Sequence, residues 1–331
     1  MGASDPPAAA TPAGLYVGID VSKERLDLAR SDSEAVRTFA NDAAGVAAVV
    51  DLLGAAGPVV VVVESTGGLE RPLVEALLEA GLPVARVHPG RVRSFATGLG
   101  VLCKTDGVDC RVLVRFGQLA APRLAERRSK TAAELADLVA CRRQLVESRT
   151  QQLNRRGCTT ARAALKSLDA VLKTLQRQID ALDKRIRELI DADDDFRHLD
   201  GLLRTVPGVG PVLSATLAAG LRELGKADRR QVAALVGVAP FNCDSGNFKG
   251  RRRIRGGRAD VRCALYMPTL AAMRGNPVIR ALAQRMERAK KLPKVIIVAC
   301  MRKLVTLINA MARDGLTWDQ LDVVKKLAAN P

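Results

Sequence analysis

The sequence predicts a mixed α/β domain, then two long helices, then a mainly helical C-terminal region. Three observations predict this. Short apolar runs alternate with amphipathic stretches through the first part of the chain. A seam of leucine and isoleucine with heptad spacing occupies 165–189. From Leu199 onward the pattern is helical with glycine-rich joints.

The first dozen residues, MGASDPPAAATP, read as a disordered leader, placed at 1–13. Leu15–Asp20, Leu26–Arg30 and Val36–Ala40 have strand-like spacing with turn-prone residues between them. Ala43–Ala56 reads as a helix with Asn41 as its N-cap. Val59–Glu64, five valines and an acid, has the pattern of a strand buried on both faces. Leu69–Ala80 is an amphipathic helix closed by Gly81, and Pro83–Val87 another strand. Asp106–Leu119 is a helix with Thr105 as candidate cap.

Leu165, Leu168, Leu172, Leu175, Ile179, Leu182, Ile186 and Leu189 form the heptad seam. Leu135, Leu138, Leu145 and Val146 mark an upstream helix, with a break at Asn154–Gly157. The pair predicts a long helical hairpin or a dimerising coiled coil. Thr205–Ala215, TVPGVGPVLSA, resembles a helix-hairpin-helix turn, whose backbone amides can meet a phosphate without reading sequence. An ordinary helical turn has the same composition. Pro240–Arg258 reads as a polar, arginine-rich loop. Val261–Met273, Pro277–Lys290, Lys294–Ala312 and Thr317–Ala328 read as helices.

With 331 residues, 48% of them hydrophobic, the chain can bury more than one core. Aromatics at 3% argue against a single-strand binder built on stacked rings. The net charge of +17 suits a polyanionic partner; a merely basic protein from a GC-rich genome has the same surplus. That charge is polarised. Residues 1–65 carry 4 basic and 9 acidic residues, whereas 240–303 carry 16 and 3. One region attracts phosphate and the other collects carboxylates. The seven cysteines form no CxxC pair, and with two histidines they argue against zinc. No signal peptide is visible, so they read as reduced thiols in a cytoplasm. The apolar run Pro58–Val63 is far too short to span a membrane.

Asp20 and Glu64 end apolar strands, and Asp106 and Asp109 lie three residues apart at a helix start. Four such acids can converge on Mg²⁺, which prefers hard oxygen ligands, and a pair of ions can serve phosphoryl transfer. Each acid also has a structural reading, as a turn cap or a partner of the helix dipole. Lys104 is either a phosphate contact or a surface lysine. Ser245 lies in APFNCDSGNFKGRRRIRGGR, close to Lys249, Arg251, Arg252, Arg253, Arg255 and Arg258. An exposed serine among cations suits attack on a phosphodiester. A phosphate-binding loop that merely contains a serine has the same residues.

GIDVSKERLDLA at 18–29, VVVESTGG at 61–68, KTDGVD at 104–109, TVPGVG at 205–210 and GVAPFNCDSGNFKGRRRIRGG at 237–257 resemble the DEDD transposases of bacterial insertion sequences. That family includes the pilin-gene invertase and the RNA-guided bridge recombinases. Motif order and spacing agree from about residue 15 to residue 314. The resemblance implies an RNase H-like, Holliday-junction-resolvase-like catalytic domain at 14–125. Coiled-coil dimerisation helices would follow at 130–195, and a helical transposase domain with a serine loop at 199–328. Asp20, Glu64, Asp106 and Asp109 would hold Mg²⁺, as two ions, or Mn²⁺. Ser245 would form a 5′-phosphoserine intermediate during strand cleavage and exchange. Lys104, Gly208, Gly210 and the cations at 249–258 would contact nucleic acid. The implied partners are donor and target DNA and, in some members, a structured bridge RNA, with dimers assembling into tetramers. One departure is minor: Cys110 stands where alanine is common. Two competing readings use the same residues, a junction nuclease with water as nucleophile and a non-enzymatic nucleic-acid-binding protein.

Overall fold

The computed structural model describes residues 14–101, 106–242, 244–245, 248–250 and 252–322, with backbone alone at 106–108, 244–245 and 248–249. The expected leader, the Thr105 cap, Lys104, Arg251 and the second half of the expected terminal helix lie outside the described residues. The chain divides into two units, Met1–Arg127 and Arg128–Pro331.

In the first unit, β1 (Tyr16–Val21), β2 (Arg25–Arg30) and β3 (Ser33–Ala40) form an antiparallel meander. α1 (Ala43–Ala56), β4 (Val60–Glu64), α2 (Arg71–Glu79), β5 (Val84–Val87), α3 (Pro89–Gly98) and α4 (Asp106–Ala120) follow. The sheet order is β3-β2-β1-β4-β5, with β4 parallel to β1 and β5 parallel to β4. Because side chains alternate across a strand, the sheet has two buried faces. Val17, Ile19, Leu26, Leu28, Val61 and Val63 share a core with Val49, Leu53, Leu73 and Leu77 of α1 and α2. Tyr16, Ala29, Val60, Val62, Ala85 and Val87 share the other with Val92, Cys110, Leu113 and Phe116 of α3 and α4. Val60–Val63 are 5% exposed or less. At about 1.5–3 kcal/mol per fully buried valine, β4 contributes to both cores at once.

Two details differ from the sequence reading. The N-cap of α1 is Asp42, whose carboxylate accepts from the Gly45 amide at 2.8 Å, while Asn41 donates its side-chain amide to the Ser22 carbonyl. α3 was not expected, since its buried positions reduce to Val92 and Ala96, too few for a periodic signal. Its start is local: Pro89 opens the first turn and His88 Nδ1 accepts from the Gly90 amide.

In the second unit, α5 (Lys130–Gly157) and α6 (Arg162–Ala192) pair as an antiparallel hairpin. α5 continues through the expected break at Asn154–Gly157, and the chain turns at 158–161 instead. Ion pairs follow the hairpin along its length: Arg185 with Glu134, Arg142 with Asp183, and Arg156 with Asp169. α7 (Asp194–Arg204), α8 (Pro211–Gly220), α9 (Arg229–Val236), α10 (Ala259–Gly275), α11 (Pro277–Arg288) and α12 (Pro293–Asp314) build the helical core, closed by a 3-10 turn at Trp318–Gln320. Among the described residues, α12 is the one helix long and apolar enough to cross a membrane. Its Ile296, Cys300, Leu304 and Ile308 lie inside the core.

Candidate catalytic site and serine hairpin

Asp20 stands one residue beyond Ile19, which pairs with Val63 in the parallel ladder. Continued by one step, that register sets Asp20 beside Glu64, on strands about 4.8 Å apart. Both acids are half-buried. Their parity matches Tyr16, Gly18, Val60 and Val62, so they belong to the face covered by α4.

The direction of α4 sets Asp109 at the same end of the sheet. A Cβ at Gly18 would lie 2.2 Å from the Cys110 carbonyl and 2.7 Å from Leu113 Cβ. A Cβ at Gly117 would lie 3.0 Å from Val62 and 3.3 Å from Tyr16. α4 therefore runs antiparallel to β1, with its N-terminal turn at the strand end that carries Asp20 and Glu64. Only glycine at 18 allows this approach. Asp109 is half-buried in that turn; Asp106 opens the helix, and its side chain lies outside the described residues. Arg111 clasps Glu34, through side chain and carbonyl, and fixes this end of α4 to β3.

Asp27 and Glu70 were not expected to matter. Asp27 pairs with Asp20 across β1 and β2 and is 7% exposed. Its signal lay in LDLAR, where alternation sets it opposite in face to Leu26 and Leu28. Glu70, also buried, accepts from the amides of Thr66 and Gly68 at 3.1 and 2.9 Å and lies 3.6 Å from Arg86. It shapes the turn that follows Glu64. Burial alone would raise its carboxyl; the backbone amides and Arg86 outweigh burial and hold it below the usual range. The Cys110 thiol is buried, pushed up to about 11 by burial first and then by the charges of Asp27 and Asp20. It stays a neutral packing group.

The donors of Asp20, Glu64 and Asp109 are all carboxylate oxygens, which suit Mg²⁺ or Mn²⁺ and not zinc. Among the described residues, no three acid, histidine or cysteine side chains close a cage by themselves. One or two carboxylates with several waters are what Mg²⁺ takes, so the residues present fit such an ion.

The second unit carries Ser245. The expected loop is a two-tier β-hairpin. Its base pairs β6 (Pro240–Phe241) with β9 (Arg253–Ile254); its upper tier pairs β7 (Asp244–Ser245) with β8 (Phe248–Lys249). Ladders of two residues leave no periodic trace in a sequence, so this was not legible. Ser245 faces Phe248 across two intervening residues and stands beside the hairpin tip. Only the backbones of Ser245 and Lys249 are described.

The base is anchored in the core. The Arg258 amide donates to the Leu235 carbonyl at 2.8 Å, and Arg262 donates to the Gly256 carbonyl at 2.7 Å. Gly237, at φ +77°, has no room for a Cβ, which would meet the Gly256 carbonyl at 2.2 Å. Arg258 is engaged within the fold, with two bonds to Glu223 at 2.7 and 2.9 Å and one to the Gly220 carbonyl. Arg252, Arg253 and Arg255 are exposed. In the turn between α7 and α8, Gly208 lies against α10, a Cβ there meeting Pro268 and Ala272 at 3.0 Å, whereas Gly210 caps α8 with open space around it. Of these two glycines, Gly210 alone has room for a ligand at its α-carbon.

Comparison with known proteins adds to this geometry. A DEDD transposase model of the IS110 type matches residues 17–159, and a model of the transposase IS116/IS110/IS902 family matches 200–284. The pilin gene-inverting protein of Moraxella bovis is 29% identical over 324 residues, covering 92% of this chain and 98% of that protein. Its counterpart in Moraxella lacunata is 28% identical over 92% and 98%. The T. thermophilus RuvC, solved with a Holliday junction substrate, aligns with a TM-score of 0.26 and 15% identity, over 34% of this chain and 99% of that one.

Proposed function

This chain belongs to the IS110-type DEDD transposases and is a DNA recombinase, and from that premise we propose that it cleaves and exchanges DNA strands through Ser245 and a metal site on the first unit. What supports the reading is that Asp20 and Glu64 occupy adjacent register positions on neighbouring strands, at the sheet end where α4 begins with Asp106 and Asp109 in sequence. The strand order, a three-strand meander continued by two parallel strands, supports an RNase H-like domain.

In this reading Ser245 Oγ attacks a backbone phosphorus. The serine–phosphate ester forms as the bond to the 3′ oxygen breaks, leaving a 5′-phosphoserine and a free 3′ end. Attack by another 3′ hydroxyl reverses the step on a new strand. Mg²⁺ or Mn²⁺ held by Asp20, Glu64, Asp106 and Asp109 would supply charge stabilisation for phosphoryl transfer. Arg252, Arg253 and Arg255, with Lys249, Arg251 and Lys104, would hold phosphates by charge, and Gly210 by its backbone amide. Donor and target DNA are the substrates in this reading, and the basic surface would suit RNA as well as DNA. The reaction belongs to the bacterial cytoplasm. The α6 seam supports self-association: Leu165, Leu168 and Leu172 stay only half-buried in the hairpin, and Leu153 and Val171 are 46% exposed.

The test uses the full chain with DNA carrying the element's ends. Ser245→Ala is expected to form no covalent protein–DNA adduct. Asp20→Asn and Glu64→Gln are expected to lose metal-dependent cleavage on the order of 10³-fold while remaining folded. Undiminished adducts with Ser245→Ala would remove the serine from the reaction. Hydrolysed ends with no adduct in the wild type would assign the attack to water.

A further inference from the structure

The turn between α11 and α12 departs twice from what its backbone favours. α11 ends in a Schellman motif: the Lys290 amide donates to the Glu287 carbonyl at 2.8 Å, and the Lys291 amide to the Met286 carbonyl at 3.1 Å. That motif needs a left-handed residue, usually glycine, and here the residue is Lys290 at φ +51°. Two positions on, α12 starts from Leu292, at an N-cap that favours serine, threonine, asparagine or aspartate. Leucine gives α12 no side-chain cap bond.

Neither departure is repaid by burial. Residues 287–295 are all exposed. Leu292, 68% exposed, is the most exposed large apolar side chain among the described residues, and Val295, one turn on, is 48% exposed. Ile296 behind them is buried, so the turn is rooted in the core. Around Leu292 the chain sets Arg285, Arg288, Lys290, Lys291 and Lys294 against a single acid, Glu287. All five cations are exposed. Among the described residues none of the five is held in an ion pair, unlike Arg142, Arg185 and Arg258 of the same unit.

Folding alone would place glycine at 290 and a polar cap at 292, so strain kept at an exposed tip points to a demand from outside the fold. Exposed cations without internal partners suit phosphates. An apolar side chain projecting among them suits a DNA groove, which proteins enter with apolar wedges flanked by phosphate contacts. The chain is a DNA recombinase, so such a partner is at hand. We propose that the α11–α12 turn is a further DNA-binding surface, in which the five cations meet backbone phosphates of a duplex and Leu292 packs into the groove between them. This concerns binding alone and depends neither on Ser245 nor on the acids of the first unit.

Fluorescence anisotropy of a labelled DNA duplex, titrated with the full chain over a series of salt concentrations without metal, tests it. Lys290→Gly relieves the left-handed strain, so its melting temperature should stay level or rise while DNA affinity falls about threefold. Adding Lys291→Gln and Lys294→Gln should bring the loss to about tenfold or more. At about 0.9 per phosphate contact, the slope of log affinity against log salt should then be shallower by roughly 3. Leu292→Ser supplies a cap and should keep the protein folded. It should weaken DNA binding about threefold with the salt slope unchanged, because an apolar contact releases no counterion. Unchanged DNA affinity in the triple variant or in Leu292→Ser overturns the proposal, as does a loss seen only with a double-stranded RNA in place of the DNA. A lower melting temperature in Lys290→Gly would give that lysine a folding role and overturn it as well.

Discussion

The acid row and the serine hairpin are held by different means. Asp20, Asp27 and Glu64 are fixed by a five-stranded sheet buried on both faces, and α4 reaches them because Gly18 lets its backbone approach. Ser245 is carried on two short ladders which, among the described residues, are anchored at the base by Gly237, Arg258 and Arg262. The acid geometry is thus a property of a core and fails only with that core. The serine's position depends on a few hydrogen bonds and one ion pair, and can be altered without unfolding its unit. The proposed reaction, with metal ligands on the sheet and Ser245 as nucleophile, suits this division.

Three substitutions probe the contrast. Gly18→Val should have the largest effect, since its side chain overlaps the Cys110 carbonyl and the α4 backbone. A loss of at least about 3 kcal/mol in denaturant unfolding is expected, with strand cleavage falling in parallel. Retained stability with retained cleavage would show that α4 can yield and that the acid site is less tightly built than the packing implies. Arg258→Ala should cost less, about 2 kcal/mol from the lost charged hydrogen bonds to Glu223 and Gly220. Covalent adduct formation should fall more than overall stability does. Equal effects on both would place the serine hairpin's control elsewhere than its base.

Glu70→Gln should have the smallest effect, and one that depends on pH. The folded state holds the Glu70 carboxyl below its ordinary value of 4.5. The stabilisation is therefore complete above pH 4.5 and disappears as pH falls through the lower folded value. Melting curves should show the wild type more stable than Glu70→Gln at pH 7, with the gap closing in acid. A gap that persists at pH 3 would assign Glu70 a packing role instead of a charge role.

Much of the first unit was legible. The valine run at 60–63 and the alternation in β1 and β2 predict strands because burial on a pleated surface leaves a period of two. The acids at strand ends stood out against an otherwise basic chain. Asp27 was missed because the alternation in LDLAR marks which face it takes but not that Asp20 stands opposite it. The hairpin around Ser245 was hidden because two-residue ladders are too short for periodicity. Arg258 was grouped with its neighbours by composition, whereas its guanidinium is drawn to Glu223, 35 residues away in sequence.

The sequence by itself determined the mixed α/β unit, the heptad seam and the charge polarity, because local periodicity and composition are written residue by residue. Tertiary structure decided which residues share a place. It brought Asp20, Asp27 and Glu64 into one row, set the N-terminal turn of α4 over that row, and lifted Ser245 to the side of a hairpin tip. Those outcomes depend on strand register and on close backbone approach at Gly18 and Gly237, and such contacts join positions too far apart in the chain for any local pattern to encode.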